Sequence, residues 1–352
     1  MNVRCHPWAA LFCLALSAFP RQAGTPAGAA PRATNRQITL DVVVTDKSGT
    51  PVSGLEQQDF TVLNNKQPQN ILSFRAVGGT TRAADPAIEI ILLMDSVNTS
   101  FQSVANERDQ IKRFLRKDGG QLSWPVSMVF FSDSGTQMQN ATRDGNALIA
   151  ALDHSDAGLR SIRRSEGVYG AADRLQLSLR ALNSLATLEE NKPGRKMLIW
   201  ISPGWPLLSG PQMELTNKQH QQVFNEIVAV STALWRARMT LYSIDPLGTA
   251  DAAGVRTTYY ENFLKGVRGE KQAQPGNLAL QVLASQSGGR VLNSSNDIAS
   301  EIASCVVDAH AFYVLSFNPP PADGPNEYHG LEVKIDKPRL KARTRTVYYA
   351  QP

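Results

Sequence analysis

From Ile88 to Met94 the chain reads IEIILLM, an apolar run broken only by Glu89, and it ends at Asp95 beside the small polar residues Ser96, Asn98, Thr99 and Ser100. A run without alternation predicts a strand covered on both faces, as in parallel α/β sheets, with a short buried helix as the competing reading. Behind it, Phe101, Val104, Ile111, Phe114 and Leu115 form one helical stripe that Thr99 or Ser100 can cap and Gly119-Gly120 can close. The unit is strand, polar turn, helix. In open parallel sheets, ligands bind at the carboxyl ends of such strands.

The same alternation of buried strands and helices continues through Val126–Phe131 with a partner at Thr136–Ala141, a short helix at Asp144–Leu152, and a helix carrying Ala172, Leu175, Leu179, Leu182 and Ala186. It goes on through the strand Met197–Ile201, a helix carrying Val223, Ile227, Val230 and Leu234, the strand Met239–Ile244, and helices at Leu278–Ser287 and Asp297–Ala309. Leu247–Gly276 has no clean period and predicts a surface excursion. On either side the pattern is β: Ile38, Leu40, Val42 and Val44 alternate with neighbours before a turn, followed by strands through Phe60 and Phe74, and the C-terminal end offers Phe312–Phe317, Leu331–Ile335 and Thr344–Tyr349. Each β group is too small to hold a core alone, so the two are expected to pair. The predicted fold is α/β, a doubly wound, mostly parallel sheet inserted in a small antiparallel β-sandwich formed by the N- and C-terminal segments. Its parts are a signal peptide at 1–23, a linker at 24–35, sandwich segments at 36–80 and 310–352, and the α/β domain at 87–309.

Composition changes this picture at the N-terminus. Arg4 precedes an apolar segment from Trp8 to Phe19 and then an Ala/Gly/Pro/Thr-rich stretch, the form of a secretory signal and linker. An exported protein with no membrane span after signal removal is expected. Of three cysteines, Cys5 and Cys13 fall in the signal, and Cys305 lies on a helical apolar stripe as a small hydrophobe. The net charge of +5 over 352 residues does not imply nucleic acid. The basic run Lys334, Lys337, Arg339, Lys341, Arg343 and Arg345 suits a solvated strand edge.

With VVVTDKSGTPVSGLEQQDFTVLNNKQPQNILSF, the MDSVNT turn, PGRKMLIWISPGWP and FYVLSFNP in order, the chain resembles the VWFA-related family of acidobacterial secreted proteins, and residues 88–309 resemble a von Willebrand factor type A domain. The resemblance implies a doubly wound sheet with one antiparallel edge strand, binding of other proteins through a divalent cation, and no usual enzymatic activity. It also implies an Asp-x-Ser-x-Ser metal motif after the first strand, with a threonine and an aspartate from later loops. Asp95 matches the first position and Thr99 can stand in for the last hydroxyl, giving a candidate Mg²⁺ site. Val97 holds the middle hydroxyl position, Ser202-Pro203-Gly204 stands where the loop aspartate belongs, and Ser165 is the nearest hydroxyl to the threonine position. Asp245 could supply a replacement oxygen. The competing reading makes Asp95 a carboxylate satisfied by backbone N–H groups at the turn.

The expected function is a non-catalytic exported binding or adhesion module, recognising a protein or cell-surface ligand through loops containing Asp95, Ser96, Asn98, Thr99, Ser202 and Asp245. The alternatives are a structural envelope scaffold and an exported hydrolase. Against the hydrolase, there is no Gly-x-Ser-x-Gly elbow, no His-Glu-x-x-His helix and no phosphate loop, and the five histidines, at 6, 154, 220, 310 and 329, lack ligand spacing.

Overall fold

The computed structural model describes residues 37–78, 88–155, 167–205, 214–247 and 259–352. The expected signal and linker, and Ser165, lie outside the described residues. The chain begins with β1 (Ile38–Thr45), β2 (Phe60–Asn64), β3 (Gln67–Gln69) and β4 (Ser73–Val77). The turn between β2 and β3 is made at Asn65 and Lys66, both with positive φ, a conformation asparagine tolerates better than most side chains. Next come β5 (Ile88–Asp95), α1 (Phe101–Leu115), β6 (Gln121–Ser132), β7 (Gly135–Asp144), α2 (Gly145–His154), α3 (Gly167–Glu190), β8 (Arg195–Ile201), α4 (Asn217–Arg236) and β9 (Met239–Ile244). They are followed by α5 (Leu280–Gln286), β10 (Val291–Leu292), α6 (Ile298–Val306), β11 (Phe312–Phe317), β12 (Glu327–Ile335), β13 (Lys341–Arg343) and β14 (Val347–Ala350).

The six-stranded central sheet has the order β10-β9-β8-β5-β6-β7, parallel except for the edge strand β7. The two faces of β5 enter different cores, as the two-residue period of a strand requires. Ile91 and Leu93 pack with α3 and α4 through Leu179, Leu182, Ile227 and Val230. Ile90, Leu92 and Met94 pack with α1, α2 and α6 through Ile111, Leu152 and Ile302. Cys305 lies free and buried in this second core, and burial pushes its thiol up to about 12.

The outer strands pair across the length of the chain. One four-stranded sheet is β13-β1-β11-β4 and the other β14-β12-β2-β3, all antiparallel. Leu40, Val42, Val62, Leu315, Phe317, Leu331 and Val333 from both sheets share one core, so they form a sandwich. Of the segment expected as one strand at Thr344–Tyr349, only Val347–Tyr349 is strand, in β14; residues 344–346 are the crossing from β13, which belongs to the opposite sheet. Its crossing residue Thr346 donates its N–H to the carbonyl of Gln286 and accepts from Leu331 N–H.

Two expectations are corrected. The C-terminal basic run is not wholly a solvated edge: Arg345 is buried and donates to the Ser231 carbonyl at 3.1 Å, and burial lowers its pKa to about 10. Arg343 donates to the buried Asp308 carboxylate at 2.6 Å and to the Gly288 carbonyl at 2.9 Å. Nor does the described part of Leu247–Gly276 stay on the surface, because Phe263, Val267 and Ala273 are buried in cores. Single apolar anchors in irregular chain between short 3-10 turns leave no period to read.

Asp308 ties the central sheet to the sandwich. Its carboxylate also accepts from Tyr242 Oη at 2.9 Å, and its carbonyl accepts from Arg195 Nη1 at 2.9 Å. The Arg195 guanidinium lies 4.7 Å from the centre of the Phe312 ring. Replacing Asp308 with Ala would leave Arg343 and the Tyr242 hydroxyl without their buried carboxylate, and should cost about 3 kcal/mol in urea unfolding.

Candidate functional site

The chain runs from β5 outward through β6 and β7, then returns to place β8 on the other side of β5, so the switch point lies between the ends of β5 and β8. Asp95 ends β5 on the face of Ile91 and Leu93. Leu93 pairs with Trp200 on β8, so the Trp200 indole lies on that same face, one step below the carboxylate. It donates from Nε1 to Asp95 Oδ2 at 3.0 Å. The ring is held edge-on by Phe131 and Trp205, at 5.7 Å and 5.5 Å between centroids.

Three more donors reach Asp95. The N–H groups of Val97 and Asn98 donate to Oδ1, both at 2.9 Å, and Asn98 Nδ2 donates to Oδ2 at 2.8 Å. Asn98 Nδ2 also donates to Ser178 Oγ on α3 at 3.0 Å, and Ser178 donates in turn to the Arg174 carbonyl. Ser100 then caps α1 by accepting the Ser103 N–H. The turn between β5 and α1 is therefore folded around one carboxylate.

These residues do not fit a hard cation at Asp95. Both oxygens face N–H donors, the side chain is fully buried, and Val97 brings no oxygen. A cation there would have to displace neutral donors that already satisfy the charge. Thr99 is buried as well, and its Oγ1 makes no hydrogen bond of good geometry among the described residues, its hydroxyl lying toward the Glu107 carboxyl. Ser202 Oγ accepts from Gly204 N–H at 3.0 Å, shaping a turn in which Gly204 has φ +82°. Asp245 accepts from Leu247 N–H at 2.9 Å. Among the described residues, no group of three or more His, Cys, Asp and Glu side chains is placed to hold a metal ion.

The structure thus brings Asp95, Asn98 and Thr99 into one turn, with Ser202 and Asp245 at the ends of β8 and β9. All five are buried, and only Ser96 of the six candidate loop residues is partly exposed. They fix the shape of this end of the sheet from beneath its surface. The exposed part nearby is the β6–β7 turn, where Ser134 is solvent-facing and Ser96 N–H donates to the Phe131 carbonyl just below.

Sequence reasoning passed over two residues of this site. Trp200 is concealed in an apolar strand. Glu107 left a clearer signal: it falls three residues after Val104 and four before Ile111, on the apolar stripe of α1. It is fully buried, and neither carboxyl oxygen makes a hydrogen bond of good geometry among the described residues. Burial raises its pKa well above the usual carboxylate range, the charges of Asp95 and Asp245 raise it further, and the Thr99 hydroxyl opposes the rise. Glu301 on α6 is pushed up to about 7, by burial and then by Asp245 and Asp297.

No protein-family profile matches the chain, and no curated protein matches it. Among solved structures, an aerotolerance-related membrane protein from Bacteroides fragilis is similar at 13% identity, covering 62% of this chain and 98% of that one, with a TM-score of 0.35. BatB from Bacteroides thetaiotaomicron is similar at 14% identity over 63% of this chain and 98% of that one, with a TM-score of 0.32. The pilus adhesin SpaC from Lactobacillus rhamnosus GG is similar at 9% identity and a TM-score of 0.38; 84% of this chain matches about half, 49%, of the adhesin.

Two outcomes follow from the geometry. Asp95→Ala strands four donors in a buried turn and should lower stability by about 3 kcal/mol or more in denaturant unfolding, with Trp200→Phe losing about 1 kcal/mol. The second concerns pH. A carboxyl whose pKa is raised on folding contributes stability fully present below its unfolded value, here 4.5, and lost as pH rises through the folded value. The melting temperature should therefore fall from about pH 4.5 to neutral, and Glu107→Gln with Glu301→Gln should flatten that fall.

Proposed function

We propose that the α/β part is a von Willebrand A-like recognition module, carried on a β-sandwich and exported, that binds a protein or cell-surface ligand and performs no catalysis. The observation that carries this reading is the saturation of Asp95. The strand-end carboxylate is engaged by four donors that order the turn, so the described part of the sheet's switch-point end presents a rigid turn suited to recognition. Recognition then falls to what surrounds that turn, beginning with Ser96 and the β6–β7 tip at Ser134. No helix among the described residues is long and apolar enough to cross a membrane.

The test uses the full chain, fluorescently labelled and incubated with intact cells and with the secreted fraction of the source organism. Ser96→Arg and Ser134→Arg should each reduce capture about tenfold or more, as bulky charges at an interface do. Leu188→Arg, on an exposed site near the far end of α3, should leave it unchanged. A chelator should have no effect. Capture insensitive to both arginines would favour a scaffold without a site, and capture abolished by chelator would restore a metal-dependent reading. A hydrolase screen that finds turnover would overturn the non-catalytic one.

A further inference from the structure

A groove of about 660 Å³ opens on the sandwich where the β2–β3 turn, the first half of β12 and the loop carrying Arg268 meet. That volume is within the range of small-molecule sites. Its lining includes a lysine that the turn does not call for. Asn64 pairs with Gln67, so Asn65 and Lys66 alone make the β2–β3 turn, with φ of 49° and 66°. A two-residue turn with positive φ at both positions favours Asn-Gly, because glycine takes the second position without strain. Asn65 fits this rule and Lys66 breaks it. The turn is held there by β12: Asn65 N–H donates to the Gly330 carbonyl and Gly330 N–H donates to Asn65 Oδ1, both at 2.8 Å. A strained residue enforced by its surroundings points to a ligand site.

The second cation of the lining, Arg268, is fixed by other means. Its guanidinium lies 5.6 Å from the centre of the Tyr328 ring, and its backbone N–H donates to Gln272 Oε1 at 3.2 Å. Neither Lys66 nor Arg268 forms an ion pair among the described residues. The acids of the lining do have partners. Glu327 Oε1 stands 3.3 Å from His329 Nε2 while Oε2 accepts the Asp323 N–H, and Glu332 lies 3.9 Å from Lys334. Two positioned cations therefore border the groove without a counter-charge.

An anionic group would balance them, but a run of acids would also meet Glu327 and Glu332 and be repelled. Those carboxylates keep lone pairs for hydroxyl donors, and Thr346 is exposed beside them. An extended peptide finds no open strand edge here, because β12 lies between β14 and β2. We propose that the groove binds an acidic saccharide, a sugar with an isolated carboxylate among many hydroxyls, whose carboxylate is held by Lys66 and Arg268 and whose hydroxyls donate to Glu327 and Glu332. The site is independent of the switch-point surface at Ser96 and Ser134.

The experiment titrates the full chain by calorimetry with cellobiouronate, which bears a carboxylate, and with cellobiose, which bears none, and adds tetraglutamate as an acidic-peptide competitor. Saturable binding of cellobiouronate is expected, about tenfold or more tighter than that of cellobiose. Tetraglutamate should not displace it. Arg268→Gln should weaken binding about tenfold. Lys66→Gly should weaken it as much and yet raise the melting temperature by about 2 °C, because glycine relieves the turn. Affinity lost while stability is gained separates a ligand role from a structural one. Ser96→Arg should leave binding unchanged. Absence of cellobiouronate binding, equal binding of cellobiose, displacement by tetraglutamate, or affinity unchanged in both groove variants overturns the proposal. A Lys66→Gly chain that melts no higher than the native one removes the strain on which it rests, and overturns it too.

Discussion

The N- and C-terminal outer strands of this protein are joined to each other by pairs that span the whole α/β part. Ile38 pairs with Phe317, Val62 with Val333 and Val77 with Phe312, each across more than two hundred intervening residues. Neither β group can bury its apolar face until the other arrives, and loop closure over such distances is entropically costly and slow. The intervening α/β part supplies the closure by bringing the two ends together. Asp308 secures the join, because one carboxylate there receives Tyr242 from the central sheet and Arg343 from the sandwich. Breaking it would leave two units with a weakened seam rather than one compact body spanning 37–352.

The site obeys the same economy. A carboxylate buried at a strand end must be neutralised by a cation, a proton or hydrogen-bond donors. At Asp95 the chain uses donors, two from the backbone turn and two from side chains, and the result is a fixed loop geometry. At Glu107, a few residues later on α1, burial and then the charges of Asp95 and Asp245 raise the carboxyl's pKa, opposed by the Thr99 hydroxyl. Two neighbouring acids thus meet burial differently: donors hold the charged first in a fixed turn, while the second is shifted toward its protonated form.

Most of the architecture was legible in the sequence because period and burial coincide: the unbroken run before Asp95 became β5, and the flanking β segments paired with each other as their marginal size required. The start of β8 was hidden because Arg195 and Lys196 look like surface residues. Both are buried, Lys196 by turning its amine back to the carbonyls of Lys192 and Gly194. Arg343 and Arg345 misled for the same reason, since charge in sequence does not reveal a partner distant along the chain. At the site, Val97 and the Ser202 turn showed in advance where the chain departs from the motif it resembles. That an indole would donate to Asp95 could not be read, because Trp200 meets Asp95 only through strand register.

The place where the chain leaves the sandwich adjoins the place where it returns. Val77 and Phe312 are paired across adjacent strands, and a side chain at Gly78 would collide with the His310 carbonyl. Topologically this is a hairpin whose turn has been expanded to hold a whole α/β layer. The α/β part is therefore an insertion between paired strands, and it does more than fill the gap, because Val43, Val314 and Val347 of the sandwich strands are buried in its two cores.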